Sequence, residues 1–517
     1  MSQVKKILIV GGGTSGWLAA NYLARKLGAN RDGGVEITLV ESSNIPTIGV
    51  GEATVPPIRT MIASLGLEEA AFMRASSATY KLAIKFDNWL KEASGPGDIA
   101  HSYYHTFGPF NQIAGELIAP YWVMDRERSG KSYVDYAMME GGICDAGKGP
   151  KRITDPQYQG PLQYAYHFDA GRLAELLKAN GGKNGVKHLI GTVEDVGVAE
   201  NGDISYVKTA EQGKLSADLY VDCTGFRARL IEEAMGTEFT SMNDVLFCDS
   251  AVACQAPYQD QSCAIPPYTT ATAHEAGWTW DIPLNDRRGV GYVYSSKYTD
   301  KDTAEQLLRS YLGQQGKDIK VSHIKIRTGK RQQQWHRNCV SVGLSAGFIE
   351  PLESTGIYLV DISLRWLAEF LSTTDKFDLS AKEFNSRMNA TYTDIIDFIK
   401  LHYAISGRTD TQFWRDNTDP KSWTSTLKDK LDSWERRVPG VHEFSGFPQV
   451  FGLTNHLQIL YGMDRVPDLS GQEGRFGLMK MAQAQALKYE GAVKGGNAVM
   501  PGHRELIDEI YKKGFRS

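Results

Sequence analysis

A glycine-rich motif near the start of the sequence restricts the fold more than any other feature. The apolar run Lys6 to Val10 is typical of a buried strand, and Gly11 to Gly16 (GGGTSG) follows it at once, before a segment of helical pattern. In such a GxGxxG motif, Gly11 allows a tight turn, Gly13 lets the backbone approach a pyrophosphate, and Gly16 lets helix and strand pack closely. In this setting the motif predicts an α/β fold with a Rossmann-like, dinucleotide-binding sheet.

The next strand and loop favour FAD over NAD as the dinucleotide. The predicted strand Val35 to Val40 is followed by Glu41, an acid placed to accept hydrogen bonds from a ribose hydroxyl. Ile45 to Pro57 (IPTIGVGEATVPP) is an apolar loop punctuated by Gly and Pro, where a simple NAD-binding domain would have a short turn and a helix. Such a loop can run along an extended flavin, and an ordinary surface loop is the alternative.

A further strand end supports the same sheet. Ala217 to Phe226 (ADLYVDCTGF) reads as a strand that ends in Asp222 and a Thr-Gly turn, as expected where a nucleotide-binding sheet receives its last crossover. No second GxGxxG occurs in the sequence. We therefore predict no separate NAD(P)H site, so that reduced flavin would come from another protein.

The segment Phe348 to Gly356 (FIEPLESTG) is where a flavin, an anion and a catalytic carboxylate are predicted to meet. It lies between a short apolar run and an amphipathic segment, Ile357 to Leu371, in a strand, loop and helix pattern. Free backbone N–H groups at a helix N-terminus attract anions. Glu353 is the only ionisable residue in the second half of the segment. The alternative is that Glu353, Ser354 and Thr355 merely cap the helix.

An alternating segment, Tyr80 to Trp89 (YKLAIKFDNW), has the period-two pattern of a strand. Lys81 and Lys85 share one face, and a solvated lysine face is the simplest interpretation. A buried lysine would instead be a positioned donor or an amine nucleophile, because burial readily changes its protonation.

Two aromatic stretches suit a flat substrate or a flavin. Tyr103 to Pro109 (YYHTFGP) combines aromatic residues with His105, which suits stacking on a substrate and equally suits core packing. Trp278 to Pro283 (WTWDIP) places its two tryptophans on one face of an extended segment, either as core or as a wall that excludes solvent or a wrong substrate.

The composition excludes several functional classes. The 517 residues, 42% of them apolar, can bury a large core, and this length favours two or more domains or one large composite. A net charge of -4 gives no support to nucleic-acid or anionic-membrane binding. Six cysteines without CxxC or CxxH spacing argue against a metal site. Without a signal peptide or an apolar run of transmembrane length, we predict a cytoplasmic protein.

The pattern becomes mainly helical in the last third of the chain. We predict an FAD-binding and catalytic module over residues 1–370, with substrate-side insertions around 75–150 and 240–325. Residues 371–517 are predicted to be a mainly helical substrate-covering region that packs as one unit.

These motifs together resemble those of the flavin-dependent halogenases of the tryptophan halogenase family, from Gly11 to about Pro467. Four stretches carry the resemblance: GGGTSG, IPTIGVGEAT, WTWDIP as the family's WxWxIP signature, and FIEPLESTG as its FxxPxxSxG signature. The last two together are highly specific. A weaker match over YKLAIKFDNW puts Lys81, rather than Lys85, on the family's essential lysine. The resemblance implies an FAD-binding module of the flavin monooxygenase type.

The resemblance also implies a mechanism. FADH2 from a separate NAD(P)H-dependent flavin reductase would react with O2, and chloride or bromide held by the backbone of Thr355 and Gly356 would become hypohalous acid. The acid would pass inside the protein to Lys81, which would present electrophilic halogen to an aromatic carbon by hydrogen bonding or as a haloamine. Glu353 would stabilise the cationic intermediate or help to remove its proton.

Further residues are assigned to the flavin site by the resemblance. Trp278 and Trp280 would separate the flavin from the substrate, so that the substrate cannot take oxygen directly. Together with the residues inferred from the motifs, the predicted FAD contacts are Gly11, Gly13, Thr14, Ser15, Gly16, Glu41, Ile48, Gly49, Ala53, Val193, Asp222, Leu344 and Ile357.

Substrate identity is where the sequence departs from the family's pattern. Tryptophan-specific members carry an aromatic and acidic lid in the carboxy-terminal half, whereas Phe444 to Pro467 lacks a Tyr-Tyr pair followed by Glu and Trp. We therefore expect a small free indole-like arene, with His105 and Phe107 as stacking walls. The alternatives are a tryptophan halogenase proper, an aromatic-hydroxylating flavin monooxygenase and a non-catalytic flavin-binding protein. The halide preference and a homodimer are left open.

Overall fold

The computed structural model describes residues 4–45, 51–95, 97–371, 377–444, 446 and 450–515. Contacts divide the chain into two compact units, each built from segments that are distant in the sequence. The first unit contains Met1–Ala78, Phe168–Met242 and Arg327–Tyr392. The second unit contains Thr79–His167, Asn243–Ile326 and Thr393–Ser517.

The strands are, in chain order, β1 (Lys6–Val10), β2 (Glu36–Glu41), β3 (Glu52–Ala53), β4 (Thr79–Lys81), β5 (Ala83–Asp87), β6 (Ser102–Thr106), β7 (Gln112–Ile113), β8 (Glu116–Leu117), β9 (Ala165–Phe168), β10 (Lys187–Ile190), β11 (Val193–Val198), β12 (Ile204–Thr209), β13 (Gly213–Leu215), β14 (Leu219–Asp222), β15 (Phe239–Ser241), β16 (Ser250–Pro257), β17 (Tyr268–His274), β18 (Gly277–Pro283), β19 (Arg287–Tyr294), β20 (Val321–Lys325), β21 (Gly329–Arg331), β22 (Trp335–His336), β23 (Cys339–Ser341) and β24 (Gly347–Phe348).

The α-helices are α1 (Thr14–Lys26), α2 (Ile58–Ser64), α3 (Glu69–Ser76), α4 (Ala119–Ser129), α5 (Tyr133–Ala137), α6 (Glu140–Asp145), α7 (Ala170–Lys183), α8 (Lys301–Leu312), α9 (Gly356–Phe370), α10 (Asp378–Ala404), α11 (Gln412–Thr418), α12 (Ser425–Ser433), α13 (Leu453–Gly462), α14 (Met479–Val499) and α15 (His503–Lys513). Two 3₁₀ turns matter for the site, Gly343–Ser345 and Pro351–Glu353. Among the described residues, no helix has both the length and the apolar character needed to cross a membrane.

The first unit is organised around a sheet with the order β10-β2-β1-β14-β23-β22. Its strands run parallel except for the pair β22 and β23. The run KILIV of β1 is apolar on both faces because the central strand of such a sheet is covered on both sides. Helix α1 packs against α7 and α9. The predicted α/β fold with a parallel sheet is confirmed.

The carboxyl ends of the parallel strands meet at one edge of this sheet. Val10 lies opposite Val40 on one side and opposite Asp222 on the other, and Asp222 lies opposite Ser341. Ligands of open parallel sheets bind outside this edge. A cofactor is therefore expected at the loops that follow β1, β2, β14 and β23.

The second unit contains a sheet with the order β20-β16-β19-β18-β17-β5-β6. In this sheet β17 and β5 run parallel, and the other pairs run antiparallel. The strand predicted over Tyr80 to Trp89 is divided at Leu82, which is a correction to the sequence analysis. The Leu82 N–H donates to the Pro267 carbonyl at 2.8 Å, and its carbonyl accepts from the Phe107 N–H at 3.2 Å. Lys81 thus belongs to β4, which pairs with β9, rather than to the large sheet.

Candidate functional site

The glycine-rich loop has the shape that a pyrophosphate requires. Gly11 has φ +112°, and a Cβ there would overlap the Cys223 carbonyl, while a Cβ at Gly16 would overlap the Gly11 carbonyl. At Gly13 a Cβ would meet no atom within 4 Å, so the backbone is open on that side. Thr14 begins α1, and its N-cap residue supplies no side-chain hydrogen bond. The first N–H groups of α1 are therefore available to an anion.

Glu41, at the end of β2, lies over this loop. A Cβ at Gly12 would overlap the Glu41 carboxylate, which explains why a glycine also stands between Gly11 and Gly13. Glu41 Oε1 lies 2.8 Å from His188 Nε2 and 3.4 Å from Lys178 Nζ. These two basic partners were missed by the sequence analysis, because they come from β10 and α7 and no motif links them to Glu41.

Asp222 organises the neighbouring loop through its own hydrogen bonds. Its Oδ1 accepts from the backbone and hydroxyl of Thr224 at 2.9 and 2.6 Å. Its Oδ2 accepts from the N–H groups of Leu230 and Ile231 at 2.8 and 2.9 Å. Its backbone carbonyl accepts from the Ser345 hydroxyl at 2.5 Å. The carboxylate is thus engaged by protein donors, and its direct contact with a cofactor stays a prediction.

The other predicted FAD contacts are distributed over several loops of the first unit. Ser15 and Leu344 lie at neighbouring loops, because Gly343 has φ +74° and a Cβ there would overlap the Ser15 side chain. Ala53 and Ile357 are buried, and Val193 opens β11. Ile48 and Gly49 lie outside the described residues.

The residues predicted for halide and acid chemistry surround the start of α9. Glu353 is 1% exposed and ends the Pro351–Glu353 turn, and Ser354 follows it with φ +59°. Thr355 occupies the N-cap position without a side-chain capping bond. Its Oγ1 is buried and has no hydrogen-bond partner in the described part of the chain. A Cβ at Gly356 would meet no atom within 4 Å.

The alternative that Thr355 caps the helix with its side chain is therefore wrong. Helix α9, of fifteen residues, instead has open space beside its first residue, Gly356. Such an end carries free N–H groups and the positive end of the helix dipole. The arrangement suits a small anion.

Lys81 is fully buried in the second unit, with 0% of its surface exposed. The interpretation as a solvated lysine is wrong for Lys81, whereas Lys85 is partly exposed and lies 3.7 Å from Asp87. Lys81 Nζ lies 5.5 Å from the centre of the Phe107 ring. The structure therefore brings together the predicted lysine and one predicted substrate wall.

His167, whose pKa is influenced by Lys81, makes hydrogen bonds that suit a neutral imidazole. Thr79 Oγ1 donates to the Pro283 carbonyl at 2.6 Å, so it must accept from His167 Nδ1, 3.2 Å away. In the neutral imidazole His167 Nε2 accepts from Thr269 Oγ1, 2.8 Å away. Burial first, and then the charge of Lys81, holds the pKa of His167 well below its usual value. The histidine thus adds no second positive charge beside the lysine.

His105 is held by residues that the sequence analysis missed. Its Nε2 accepts from Asn455 Nδ2 at 2.9 Å. Its ring centre lies 5.7 Å from that of Phe398 and 6.5 Å from that of Phe451, and these two phenylalanines stack at 3.9 Å. Asn455, Phe398 and Phe451 come from segments almost 300 or more residues further along the chain, and no local pattern marks them.

Trp278 and Trp280 are buried on β18, with ring centres 6.4 Å apart. Gly291 on β19 pairs with Trp280, and a Cβ at Gly291 would overlap the indole ring. Trp280 Nε1 is buried and has no acceptor among the described residues. Both rings are thus enclosed by the protein, and their position beside a flavin stays a prediction.

The fold and these residues define a dinucleotide-binding α/β protein with a buried lysine and an uncapped helix N-terminus. Groups of three or more His, Cys, Asp or Glu that could hold a metal ion are absent from the described ranges. A family model described as Tryptophan halogenase matches residues 6–474, so the chain belongs to the tryptophan halogenase family.

Individual relatives agree with this assignment. Tryptophan 6-halogenase SttH of Streptomyces toxytricini is 38% identical over 480 residues, which are 88% of this chain and 89% of the relative. A solved tryptophan halogenase from Shewanella frigidimarina NCIMB 400 has a TM-score of 0.93 at 32% identity, covering 99% of this chain and 98% of that one. Tar14, a tryptophan C-6 flavin-dependent halogenase from taromycin biosynthesis, has a TM-score of 0.90 at 35% identity, covering 99% and 100%. The protein is a flavin-dependent halogenase, as its motifs predict.

Proposed function

We propose that the protein uses FADH2, O2 and chloride or bromide to make hypohalous acid, and that Lys81 directs the halogen to a free indole-like arene. The observation that carries this proposal is the complete burial of Lys81 beside the Phe107 ring. Burying an amine beside an aromatic ring is costly unless the amine is hydrogen-bonded or paired, and a lysine removed from water in this way is a good donor or nucleophile.

The first unit supplies the groups that would hold the cofactor and the halide. The open backbone at Gly13 and the N-terminus of α1 suit a pyrophosphate, so the residues present fit FAD. Reduced FAD bound there would supply, together with O2, the oxidising equivalents that turn halide into hypohalous acid. The backbone N–H groups at Thr355 and Gly356 would hold the halide, because Thr355, the N-cap residue of α9, makes no side-chain capping bond.

Lys81 and Glu353 would have different roles in the reaction of the arene. Lys81 would accept the halogen by hydrogen bonding or as a haloamine and offer it to a ring carbon. Glu353 would stabilise the cationic ring or receive its proton, which a carboxylate can do when it is buried and oriented. That the two side chains act on one substrate is part of the proposal.

The electron donor is proposed to be a separate NAD(P)H-dependent flavin reductase. The sequence contains one GxGxxG motif and no second one that could serve NAD(P)H.

Free tryptophan is the second candidate substrate, and the names of the relatives favour it. The indole-like arene is favoured by the missing Tyr-Tyr, Glu and Trp pattern over residues 444–467. His105, held by Asn455 and packed beside Phe398, suits a flat ring in either case.

Product analysis tests the reaction and the substrate together. The enzyme is incubated with FAD, a flavin reductase, NADH, chloride or bromide, and a panel of indoles that includes tryptophan, and the products are identified by mass spectrometry. We expect halogenated indole whose formation requires halide. A strong preference for tryptophan would overturn the free-indole proposal, and hydroxylated product formed without halide would support a monooxygenase instead.

Lys81→Met tests the role of the lysine, with Lys85→Met as its matched control. We expect Lys81→Met to abolish arene halogenation while flavin oxidation and folding are retained. Lys85 is partly exposed and paired with Asp87, so Lys85→Met is expected to keep its activity. Full halogenation activity in Lys81→Met would refute the role of Lys81 as a relay.

Glu353→Gln is expected to lower the halogenation rate by about 10² to 10⁴, and the initial rate of halogenated product formation measures this.

A further inference from the structure

The last helix of the chain is firmly seated in the second unit. Its first residue, His503, donates its N–H to the Gly147 carbonyl at 2.9 Å, and the Gly149 N–H donates to the Pro501 carbonyl at 3.0 Å. Leu506 is fully buried and packs where a Cβ at Gly149 would lie. The start of α15 is thus fixed to the segment that precedes β9.

Arg504 ties the same end of the helix to two further loops. Its Nε donates to the Cys263 carbonyl at 3.0 Å, and its Nη1 donates to the Asn285 carbonyl at 3.0 Å. These loops precede β17 and follow β18. The start of α15 is therefore bonded to three separate segments, and the position of its first residue, His503, is well defined.

The His503 side chain is 1% exposed and makes two hydrogen bonds that define its tautomer. Nδ1 lies 2.9 Å from the Ile265 carbonyl, which can only accept, so Nδ1 carries the proton. The Tyr80 N–H then donates to Nε2 at 3.1 Å. A neutral imidazole satisfies both partners, whereas an imidazolium would turn a second N–H toward the Tyr80 donor.

The bond to Tyr80 holds the strand that carries Lys81. Tyr80 and Lys81 are adjacent in β4, a strand of only three residues that pairs with β9. So short a strand has few ladder bonds of its own, and a buried backbone N–H left without an acceptor is costly. His503 provides that acceptor from a residue 423 positions further along the chain.

We propose that His503 is a positioning residue for halogenation, which fixes β4 from α15 and thereby holds Lys81 Nζ beside Phe107. This inference rests on the proposed role of Lys81. A lysine whose strand can shift would meet hypohalous acid in the wrong place, and the acid would then escape to solvent rather than halogenate the arene. Small misplacements of a catalytic group are known to cost large factors in rate.

The test compares His503→Leu, which removes both hydrogen bonds, with His503→Gln, whose amide can donate to Ile265 and accept from Tyr80. The readout is the ratio of halogenated indole to hypohalous acid caught by a small-molecule trap, measured at full FAD occupancy. The ratio does not depend on the fraction of folded enzyme. We expect it to fall on the order of tenfold or more in His503→Leu, with flavin oxidation unchanged, and to be largely restored in His503→Gln.

His274→Leu is the matched control, because His274 is a half-buried histidine of the second unit whose pKa is also lowered by burial, but it bonds to Thr279 rather than to β4. It is expected to lose stability and keep the wild-type ratio. Should His503→Leu fail to fold, His503→Asn, whose shorter amide reaches at most one partner, takes its place with the same expected fall.

Two outcomes would overturn the inference: an unchanged ratio in His503→Leu, or an equal loss in His503→Gln. Failure of the underlying mechanism has a different signature, since Lys81→Met would then halogenate normally.

Discussion

A glycine at the first position of α9 leaves room for a ligand where an alanine would fill it. Gly356 has an ordinary helical backbone rather than a positive φ, so conformational freedom does not explain it. The open space at its Cβ position, together with the Thr355 hydroxyl, which has no partner within the described ranges, fits a requirement for access to the helix end.

Gly356→Ala should therefore separate stability from function. We expect stability to stay the same or rise by up to about 1 kcal/mol, because alanine is the better helix former. The apparent KM for halide is expected to rise about tenfold, the equivalent of about 1.4 kcal/mol, because the methyl group occupies the proposed halide position. Halide titrations of the initial rate measure this.

Gly491→Ala in the exposed part of α14 is the control, since a Cβ there also meets no atom within 4 Å. It should gain similar stability without a change in halide dependence. An unchanged halide KM in Gly356→Ala would count against the proposed halide position.

The motif residues of the first unit could be predicted individually, but the burial of Lys81 could not. Gly11 has the positive φ and Gly16 the close backbone contact that the GxGxxG pattern predicts, and the backbone at Gly13 is open. The period-two pattern assigns Lys81 and Lys85 to one face, yet it does not reveal that the strand divides at Leu82. A pattern of alternation identifies the outer face only where one face of a sheet meets water.

Among the elements, the antiparallel pair β18 and β19 shows how one strand shapes another. Trp280 and Gly291 lie opposite each other, and the glycine gives the indole its space. The cross-strand pair is the unit of stabilisation in such a sheet. The tryptophan wall therefore depends on the neighbouring strand as much as on its own sequence.

Gly291→Ala should force the Trp280 ring out of its place. We expect the free energy of unfolding to fall by about 1–3 kcal/mol, the usual cost of overpacking. In the double variant with Trp280→Phe, whose smaller ring leaves space for the methyl group, the loss should be smaller than the sum of the two single losses. Urea unfolding monitored by circular dichroism provides the values, and strict additivity would argue against the overlap.

Elements were predicted best where a long pattern met a clear boundary. The helix predicted over Ile357 to Leu371 is α9, one residue earlier at each end, and WTWDIP lies within β18. The missed contacts, such as Asn455 with His105, join elements that are 350 residues apart. No local propensity records which distant helix will pack on a strand.

The whole molecule buries several histidines in their neutral form. Burial lowers the pKa of His503 to about 4, and the pKa values of His274 and His456 to about 3. In the unfolded chain each would return to about 6.5. Unfolding below that pH takes up protons at these sites, so their contribution to stability is complete above pH 6.5 and is lost as the pH falls toward the folded pKa values of about 3 to 4.

Replacing one such histidine should flatten the pH dependence of stability. The free energy of unfolding of wild type minus that of His503→Gln is expected to decrease as the pH is lowered from about 6.5 to about 4. The slope should reach at most about 1.4 kcal/mol per pH unit, the value for one proton. Glu52, whose pKa burial raises to about 7, acts in the opposite sense in both proteins and cancels from the difference. A difference that is constant with pH would contradict the neutral state of His503.

At this scale the sequence predicts the family and the α/β class, but not how the chain is distributed. The two compact units each draw on three separate segments, and a boundary placed near residue 370 does not express that interleaving. The assignment of residues 371–517 to a substrate-covering role stays a prediction.

The bond between Tyr80 and His503 also orders the events of biosynthesis. Ribosomes deliver residue 80 long before residue 503, so β4 emerges without the acceptor that completes it. A nascent or prematurely terminated chain could assemble its nucleotide-binding sheet while its reactive amine is still unanchored. Directed modification of an arene would then be acquired only once residue 503 has been made, whereas a chain interrupted earlier would release its corrosive oxidant instead of delivering it.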